Sequence, residues 1–256
     1  MTDDLTPVGV AAALGERPVR AYPALLSTEV TAMAWARAGA ATGSVVVADY
    51  QASPRGRGGL PWTVQAGRGL GFSLILRPTL SPEREGWPYL TSSLAVADVL
   101  GDQVGLEWPD TVSGVAEHDT QAQVGTHAEL GPDRTEWVCI TVLIAVTQTP
   151  RVELLDRLVT AVELRLSDDE NEVLSAYRSR CQTLGRQVRA RMIPMGPGGP
   201  EVVGEAVDVL GDGSLVVLTA RGNRVAVPPQ NLGLLEAPQV PPELPPDVAR
   251  RLRNWA

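Results

Sequence analysis

The stretch of this sequence best suited to chemistry is a glycine-rich loop at residues 51–62. It holds three glycines and two prolines around two arginines, Arg55 and Arg57. Glycine lets the backbone turn at positive φ and expose its N–H groups, and arginine adds a planar fork of donors for phosphate oxygens. The pattern therefore favours a loop that wraps a phosphate. The alternative is an exposed arginine-glycine segment of the kind that binds RNA.

The charge and composition exclude several classes of function. The formal net charge is −8, which argues against a general nucleic-acid binder and weakens the RNA alternative, because such binders gain affinity by neutralising phosphates. No apolar run approaches the roughly 18 residues that cross a bilayer, and no secretory signal is visible at the start. We therefore expect no nucleic-acid partner, no membrane association and a cytoplasmic location.

The basic and metal-binding residue types restrict the chemistry further. All 22 basic residues are arginine, so no step can use a lysine amine from this chain. Cys139 and Cys181 are too few for a zinc site or a disulfide framework, and we expect two buried thiols. His118 and His127 lack a ligand cluster, and we assign no metal site.

The elements that must position the loop follow from hydrophobic periodicity and helix signals. Ser27 is a plausible N-cap and Gly39 a plausible stop for a helix between them. The run 136–146 is nearly continuous and rich in β-branched residues, which is typical of a central strand buried on both faces. The remaining expectations for this part are strands at 44–50, 70–77, 104–108, 112–117 and 121–129 and helices at 88–100, 151–165 and 168–182.

The last quarter of the chain changes character. Closely spaced short strands predict a small β-barrel as a second domain. We place the strands at 186–193, 201–210, 214–220 and 223–227. The predicted fold class is α/β (α+β), with a mixed sheet flanked by helices and followed by the small barrel. The expected divisions are a lead-in at 1–26, a main domain at 27–184, the barrel at 185–236 and a proline-rich tail with a short cationic helix at 237–256.

This order of elements, together with four motifs, resembles the biotin protein ligases over roughly residues 25–236. Ser27-Thr28 before a helix is similar to the family's Ser-Thr-Asn, and Trp108-Pro109 to part of its Lys-Trp-Pro-Asn-Asp. Residues 122–129 are similar to its Lys-x-Ala-Gly-Ile-x-x-Glu, and 181–219 to its junction into the barrel. The loop resembles the family's Gly-Arg-Gly-Arg-Arg-Gly-Arg-x-Trp motif, and it retains Gln51, Arg55, Gly56, Arg57, Gly59 and Trp62.

The resemblance implies a reaction and a set of contacts. In the family, ATP and Mg²⁺ adenylate biotin, and a lysine of a carboxylase carrier domain accepts it. By resemblance, the residues that contact the adenylate or nucleotide are Arg55, Gly56, Arg57, Gly59, Trp62 and Trp108. Those that line the biotin pocket are Ser27, Thr28, Gln51 and Gly125. ATP, Mg²⁺ and biotin are implied as ligands by the resemblance alone. The implied protein partners are a biotin carboxyl-carrier domain or a true ligase, and a homodimer is a further possibility that the sequence leaves open.

The departures from the family fall on residues that do chemistry. The two family lysine positions are Glu107 and Ala122, and the glycine positions of the ligand floor are Thr141 and Leu143. Removal of one oxyanion donor typically costs about 10²–10³ in rate, so the loss of two cations predicts a severe defect. We assign no catalytic residue with this pattern.

Further departures surround the same site. Glu29 stands for the asparagine of Ser-Thr-Asn, and Asp110-Thr111 for the Asn-Asp that follows the Trp-Pro motif. Three hypotheses remain open: a ligase-fold protein that has lost catalysis and acts as a binding or regulatory module, an active ligase of altered chemistry or acid specificity, and a structural role in which the loop is a relic. The sequence therefore leaves open whether the chain is an enzyme.

Overall fold

The computed structural model describes residues 5–114, 122–196 and 198–238, which form an α/β fold with two sheets. The first sheet has seven strands. In chain order they are β1 (Val19–Leu25), β2 (Ser44–Gln51), β3 (Leu70–Leu76), β4 (Val104–Glu107), β5 (Thr111–Gly114), β6 (Ala122–Leu130) and β7 (Thr135–Ile144). Their spatial order is β1-β2-β3-β7-β6-β5-β4, with β1 and β2 parallel and all other pairs antiparallel. The predicted mixed sheet is confirmed.

Five helices flank this sheet. They are α1 (Pro7–Leu14), α2 (Thr28–Arg37), α3 (Trp87–Leu100), α4 (Arg151–Ser167) and α5 (Glu170–Arg180). Helix α3 is buried from Trp87 to Ala97, as expected for a helix in the core. Helix α5 begins where the Asp169 carboxylate accepts hydrogen bonds from two backbone N–H groups, an N-cap. Among the described residues, no helix is both long enough and apolar enough to cross a membrane.

The two faces of the first sheet are covered differently. Val138, Ile140 and Val142 of β7 belong to a large core that α1, α3, α4 and α5 share. On the opposite face, Trp137 and Cys139 pack with α2 in a smaller core. Because neighbouring residues of a strand point to opposite faces, the face of α2 also receives the odd-numbered residues that follow in β7. The loop at 51–62 leaves β2 beside this face.

The second sheet is antiparallel and has five strands. They are β8 (Gln187–Met192), β9 (Glu201–Val209), β10 (Leu215–Thr219), β11 (Arg224–Val227) and β12 (Leu232–Glu236). Their order is β11-β10-β9-β8-β12. The small β-barrel predicted for this region is thus an antiparallel sheet, and among the described residues no pairing joins its edge strands β11 and β12.

Two strands do not follow from the sequence pattern. β1 lies within the stretch treated as a lead-in, where prolines obscure its alternation, yet it pairs with β2 from Val19 to Leu25. β12 follows a proline-bounded turn and pairs with β8. The cationic helix expected within 247–256 lies outside the described residues, as do most of the proline-rich tail and His118.

Side-chain hydrogen bonds connect the second sheet to the rest of the fold. Trp108 donates its indole N–H to the Gly213 carbonyl at 2.9 Å. Arg178 of α5 donates to the Val209 carbonyl at 2.6 Å. The Trp-Pro motif therefore lies at the junction of the two sheets.

Candidate functional site

The glycine-arginine loop packs directly on strand β6. Gly125 of β6 lies beneath it, and a Cβ atom at this position would stand 3.1 Å from the Gly56 carbonyl carbon. Within the loop, Gly58 and Gly59 have φ angles of 61° and 74°, a region that favours glycine. Gly125 thus permits the approach of the loop, and the two loop glycines permit its turn.

Arg57 is buried under this loop and is engaged by the protein itself. Its Nε donates to Asp110 Oδ2 at 2.9 Å, and its Nη1 donates to the Leu232 carbonyl of β12. Both charged side chains are 8% exposed. Arg57 therefore ties the loop to the Trp-Pro motif and to the second sheet.

Arg55 points outward from the same loop. Its Nη1 donates to the Gly59 carbonyl at 3.0 Å, which closes the loop on itself. Its charge also acts on Glu29 of α2: burial raises the pKa of Glu29, and Arg55 lowers it in part. The outer arginine thus faces a carboxylate at the position where the family has an asparagine.

Asp110 is an acidic group in a buried setting. Burial raises its pKa, while the positive charge and hydrogen bond of Arg57 lower it in part. The Thr111 hydroxyl donates to Asp110 Oδ1 at 3.3 Å, and the Gln123 amide donates to Oδ2 at 3.4 Å. The carboxylate has partners on both oxygens.

A chain of buried polar side chains connects α2, β2, β3 and β7. Gln51 Oε1 accepts hydrogen bonds from the backbone N–H of Thr28 at 2.8 Å and from its hydroxyl at 3.2 Å. The Ser73 hydroxyl donates to the Thr28 hydroxyl at 3.0 Å and lies 2.8 Å from the Thr141 hydroxyl. Thr28 and Gln51, both predicted for the ligand pocket, therefore lie together, with Thr141 beside them.

The protein's own side chains cover the floor of this pocket. A Cβ atom on Gly71 of β3 would lie 2.2 Å from Gln51 Nε2 and 3.3 Å from Leu143 Cδ2. A Cβ atom on Gly56 would lie 1.9 Å from Gln123 Oε1. The side chains of Gln51, Leu143 and Gln123 thus fill the space above the small residues.

Several buried polar atoms around the loop have no hydrogen-bond partner among the described residues. They are the Ser27 hydroxyl, Gln51 Nε2, Trp62 Nε1 and Gln123 Oε1. Most buried polar groups in proteins are paired, so these donors and acceptors mark places where a water molecule or a polar group of a ligand is expected. Ser27 and Trp62 were both expected to contact ligand from the sequence.

Trp108, predicted to contact nucleotide, is fully packed at the junction of the sheets. Its backbone N–H donates to the Thr183 hydroxyl at 2.8 Å, in addition to the bond from its indole. Beside it lies a cavity of about 380 Å³ between the two sheets. Among the charged residues that line it are Arg57, Glu107, Asp110, Arg186 and Glu236.

The two positions aligned with family lysines differ in their surroundings. Glu107 is exposed at the end of β4 and accepts a hydrogen bond from Ser113 at 3.4 Å. Ala122 is fully buried in the large core, on the face of the sheet away from the loop. Its neighbour Gln123 takes the position that faces the loop.

Sequence reasoning missed Asp110 and Gln123 as members of the site. The alternation of a strand contained a signal for Gln123, because a residue two positions before Gly125 shares its face. Asp110 appeared only as a departure from a motif; its partner Arg57 is 53 positions away, and no local pattern joins them. Among the described residues, no cluster of three or more His, Cys, Asp or Glu side chains is arranged to hold a metal ion.

Known proteins resemble this chain in sequence and in fold. The biotin–[acetyl-CoA-carboxylase] ligase of Mycobacterium tuberculosis is 29% identical over 225 residues, which cover 78% of this chain and 83% of that protein. The biotin protein ligase of Aquifex aeolicus, solved in complex with biotin and ATP, superposes with a TM-score of 0.63 at 22% identity and covers 86% of this chain and 99% of its own. By sequence and fold together, the chain is a homologue of the biotin protein ligases. The bifunctional ligase/repressor BirA of Bacillus subtilis is 33% identical over 135 residues, but these are 50% of this chain and 40% of that protein. A scan of protein-family models finds no match.

Within this biotin protein ligase fold, the predicted site residues fall into two groups. Ser27, Thr28, Gln51 and Gly125 lie together on the face under the loop. Trp108 instead fills the junction of the sheets, at the cavity that Arg57 also lines. The loop arginines join the groups, and each already donates to a protein acceptor.

Proposed function

We propose that this member of the biotin protein ligase family has lost the adenylation chemistry and acts as a binding or regulatory module. The observation that supports the proposal is the engagement of Arg57 by Asp110 and by the Leu232 carbonyl. This arginine is the buried cation of the loop, and the chain contains no lysine to replace it.

Charge is the reason that this observation matters. The attack of a carboxylate on the α-phosphorus of ATP concentrates negative charge on phosphate oxygens, and preorganised cations are the main means of stabilising it. Here Arg57 is neutralised by Asp110, and Glu107 adds a further negative charge beside the cavity. These residues do not fit a Mg²⁺–triphosphate group, and we derive no adenylation step.

The cluster of buried polar side chains around Thr28 supports a binding role. Ser27 and Gln51 each bring an unpartnered buried polar atom to the same face, next to the Thr28–Ser73 hydrogen bonds. Such atoms select a neutral polar molecule with donors and acceptors. Because Gln51 and Leu143 fill the floor, a ligand as large as biotin requires the Gln51 side chain to turn away from Gly71.

The partner of the proposed module is a protein of the biotin-carrier system. The Mycobacterium tuberculosis relative is named for acetyl-CoA carboxylase, so a biotin carboxyl-carrier domain or a complete ligase is the partner of first choice. We also propose that the protein acts in the cytoplasm, together with this partner. Size-exclusion chromatography with purified carrier domain and with an active ligase, each with and without biotin, tests this part.

Calorimetry tests the ligand part. We expect no binding of a non-hydrolysable biotinyl-adenylate analogue in the micromolar range and no binding of Mg²⁺-ATP. The Arg55→Ala variant is the matched control, because Arg55 is exposed and its loss leaves the buried contacts in place. Micromolar affinity for the adenylate analogue that falls in Arg55→Ala would overturn the proposal.

The alternative is an active ligase with an altered acid. The unpartnered atoms of Ser27 and Gln51 favour it, since a reactive acid with its own amide or hydroxyl groups would pair with them. Calorimetry with a panel of short hydroxy and amide-bearing acids separates the two. Binding of one acid only in the presence of ATP supports the alternative.

A further inference from the structure

The contact between Asp110 and Arg57 lies where two parts of the molecule meet a cavity. Arg57 offers five N–H donors, of which Nε is bonded to Asp110 and Nη1 to the Leu232 carbonyl. Only 8% of the Arg57 side chain is exposed, so few water molecules solvate its charge and its affinity for an anion is high. In this chain, a carboxylate of the protein supplies that anion.

Asp110 is held in place for this contact by other groups. Thr111 and Gln123 donate to its two oxygens, at 3.3 and 3.4 Å. Just before it, the Ser93 hydroxyl donates to the Pro109 carbonyl at 3.3 Å, which fixes the backbone. The carboxylate is therefore preorganised against Arg57.

The ion pair is reachable from outside. Arg57, Asp110 and Gln123 all line the cavity of about 380 Å³ between the sheets, and Arg186 lines it as well. That volume is large enough for a phosphate or pyrophosphate group. Glu107 and Glu236 line the same cavity and oppose a second negative charge.

We propose that Asp110 is a specificity-determining residue that acts as an internal substitute for a ligand anion: it occupies the Nε donor of Arg57, neutralises the charge of the guanidinium and so keeps the loop from binding an external phosphate or carboxylate. The inference deepens the proposed function, because it identifies the group responsible for the loss of anion binding. An external anion takes the place of Asp110 at Arg57 Nε only when it displaces the Asp110 carboxylate.

The test compares pyrophosphate binding by calorimetry in the full chain and three variants. Asp110→Asn keeps the size of the side chain and removes its charge, and we expect its affinity for pyrophosphate to rise about 10- to 100-fold over the unmodified protein, the range of one charge-assisted hydrogen bond. The double variant Arg57→Gln/Asp110→Asn must lose this gain. Asp98→Asn removes a carboxylate that pairs with Arg165 and Arg180 elsewhere, and it should leave the affinity unchanged.

Two results overturn the proposal: an unchanged affinity in Asp110→Asn, or a gain that persists in the double variant. If Asp110→Asn does not fold, the test becomes chemical rescue. Pyrophosphate or formate, at constant ionic strength, must then restore folding of Asp110→Asn and not of an equally unstable core variant. Absence of rescue overturns the inference.

The experiments distinguish a failure of this inference from a failure of the proposed function. If the unmodified protein binds the adenylate analogue tightly, the proposed function fails. If it does not and Asp110→Asn gains no anion affinity, the proposed function stands and only the role of Asp110 fails.

Discussion

The ion pair between Arg57 and Asp110 supports a quantitative prediction about stability. Loss of either partner leaves the other charge buried without compensation, whereas loss of both leaves a neutral amide pair. We expect Arg57→Gln and Asp110→Asn each to lower the free energy of unfolding by about 3 kcal/mol or more. The double variant should lie within about 1 kcal/mol of the unmodified protein.

The magnitude follows from the surroundings of the pair. Both side chains are 8% exposed and their atoms are 2.9 Å apart, so a remaining charge loses its direct partner and is left largely desolvated. Burial raises the pKa of Asp110 despite Arg57, which means that ionisation already costs free energy in the folded state. A neutral pair avoids that cost. The coupling free energy between the two changes is therefore large, about 5 kcal/mol, and well above the 0.5 kcal/mol that independent sites show.

Urea unfolding followed by tryptophan fluorescence and far-ultraviolet circular dichroism measures the cycle. For a chain of this size, about 3 kcal/mol corresponds to a fall in Tm of roughly 6–12 °C, which a thermal scan resolves. Asp98→Asn is the control: its side chain is 31% exposed and pairs with Arg165 and Arg180, and the change should cost about 1 kcal/mol or less. A coupling free energy below about 0.5 kcal/mol would refute the reasoning, because it would mean that the two charges do not depend on each other.

Three further predictions concern the pocket and the core. Gly71→Ala places a Cβ atom 2.2 Å from Gln51 Nε2, so the Gln51 side chain must move and lose its hydrogen bonds with Thr28. We expect thermal unfolding to show a loss of stability of about 1–2 kcal/mol. An unchanged stability would mean that Gln51 does not cover Gly71. Ala122→Lys restores a family residue and puts an ammonium group into a fully buried position. We expect urea unfolding to show a loss of more than about 2 kcal/mol in the free energy of unfolding. A variant as stable as the unmodified protein would contradict the burial of Ala122. Burial raises the pKa of Cys139 to about 12 and also raises the pKa of Cys181. We therefore expect Ellman's reagent at pH 8 to react with neither thiol in the folded protein and with both in urea. Rapid reaction of the folded protein would show that the thiols are accessible.

Much of the fold follows from sequence periodicity, because periodicity reports burial directly. β7 reads as a central strand because residues 136–146 are apolar on both faces, and both faces of the sheet are covered. α4 reads as a helix because Leu155, Leu158 and Val162 recur on one side, which packs against α3. β1 escaped this reasoning because Pro18 and Pro23 mask its alternation, and only its pairing with β2 defines it.

The candidate site divides in the same way. The loop is visible in the sequence because its glycines and arginines mark it locally, and resemblance to the family added Ser27, Thr28 and Gln51. The contact of Arg57 with Asp110 and the Leu232 carbonyl spans 53 and 175 positions, so only the folded chain brings these groups together. Resemblance to the family assigned Arg57 to a nucleotide, and it contained no signal that an acidic side chain of the same protein would be its partner.

Pyrophosphate exchange tests the central claim most directly. The purified full chain is incubated with biotin, Mg²⁺-ATP and ³²P-labelled pyrophosphate, beside Arg55→Ala and an active biotin protein ligase as the positive control. If the loop has lost adenylation because its buried arginine is already paired, labelled ATP stays at the level without protein while the positive control exchanges readily. Exchange that depends on biotin and falls in Arg55→Ala would show that the chain still forms an acyl-adenylate, and would contradict the account.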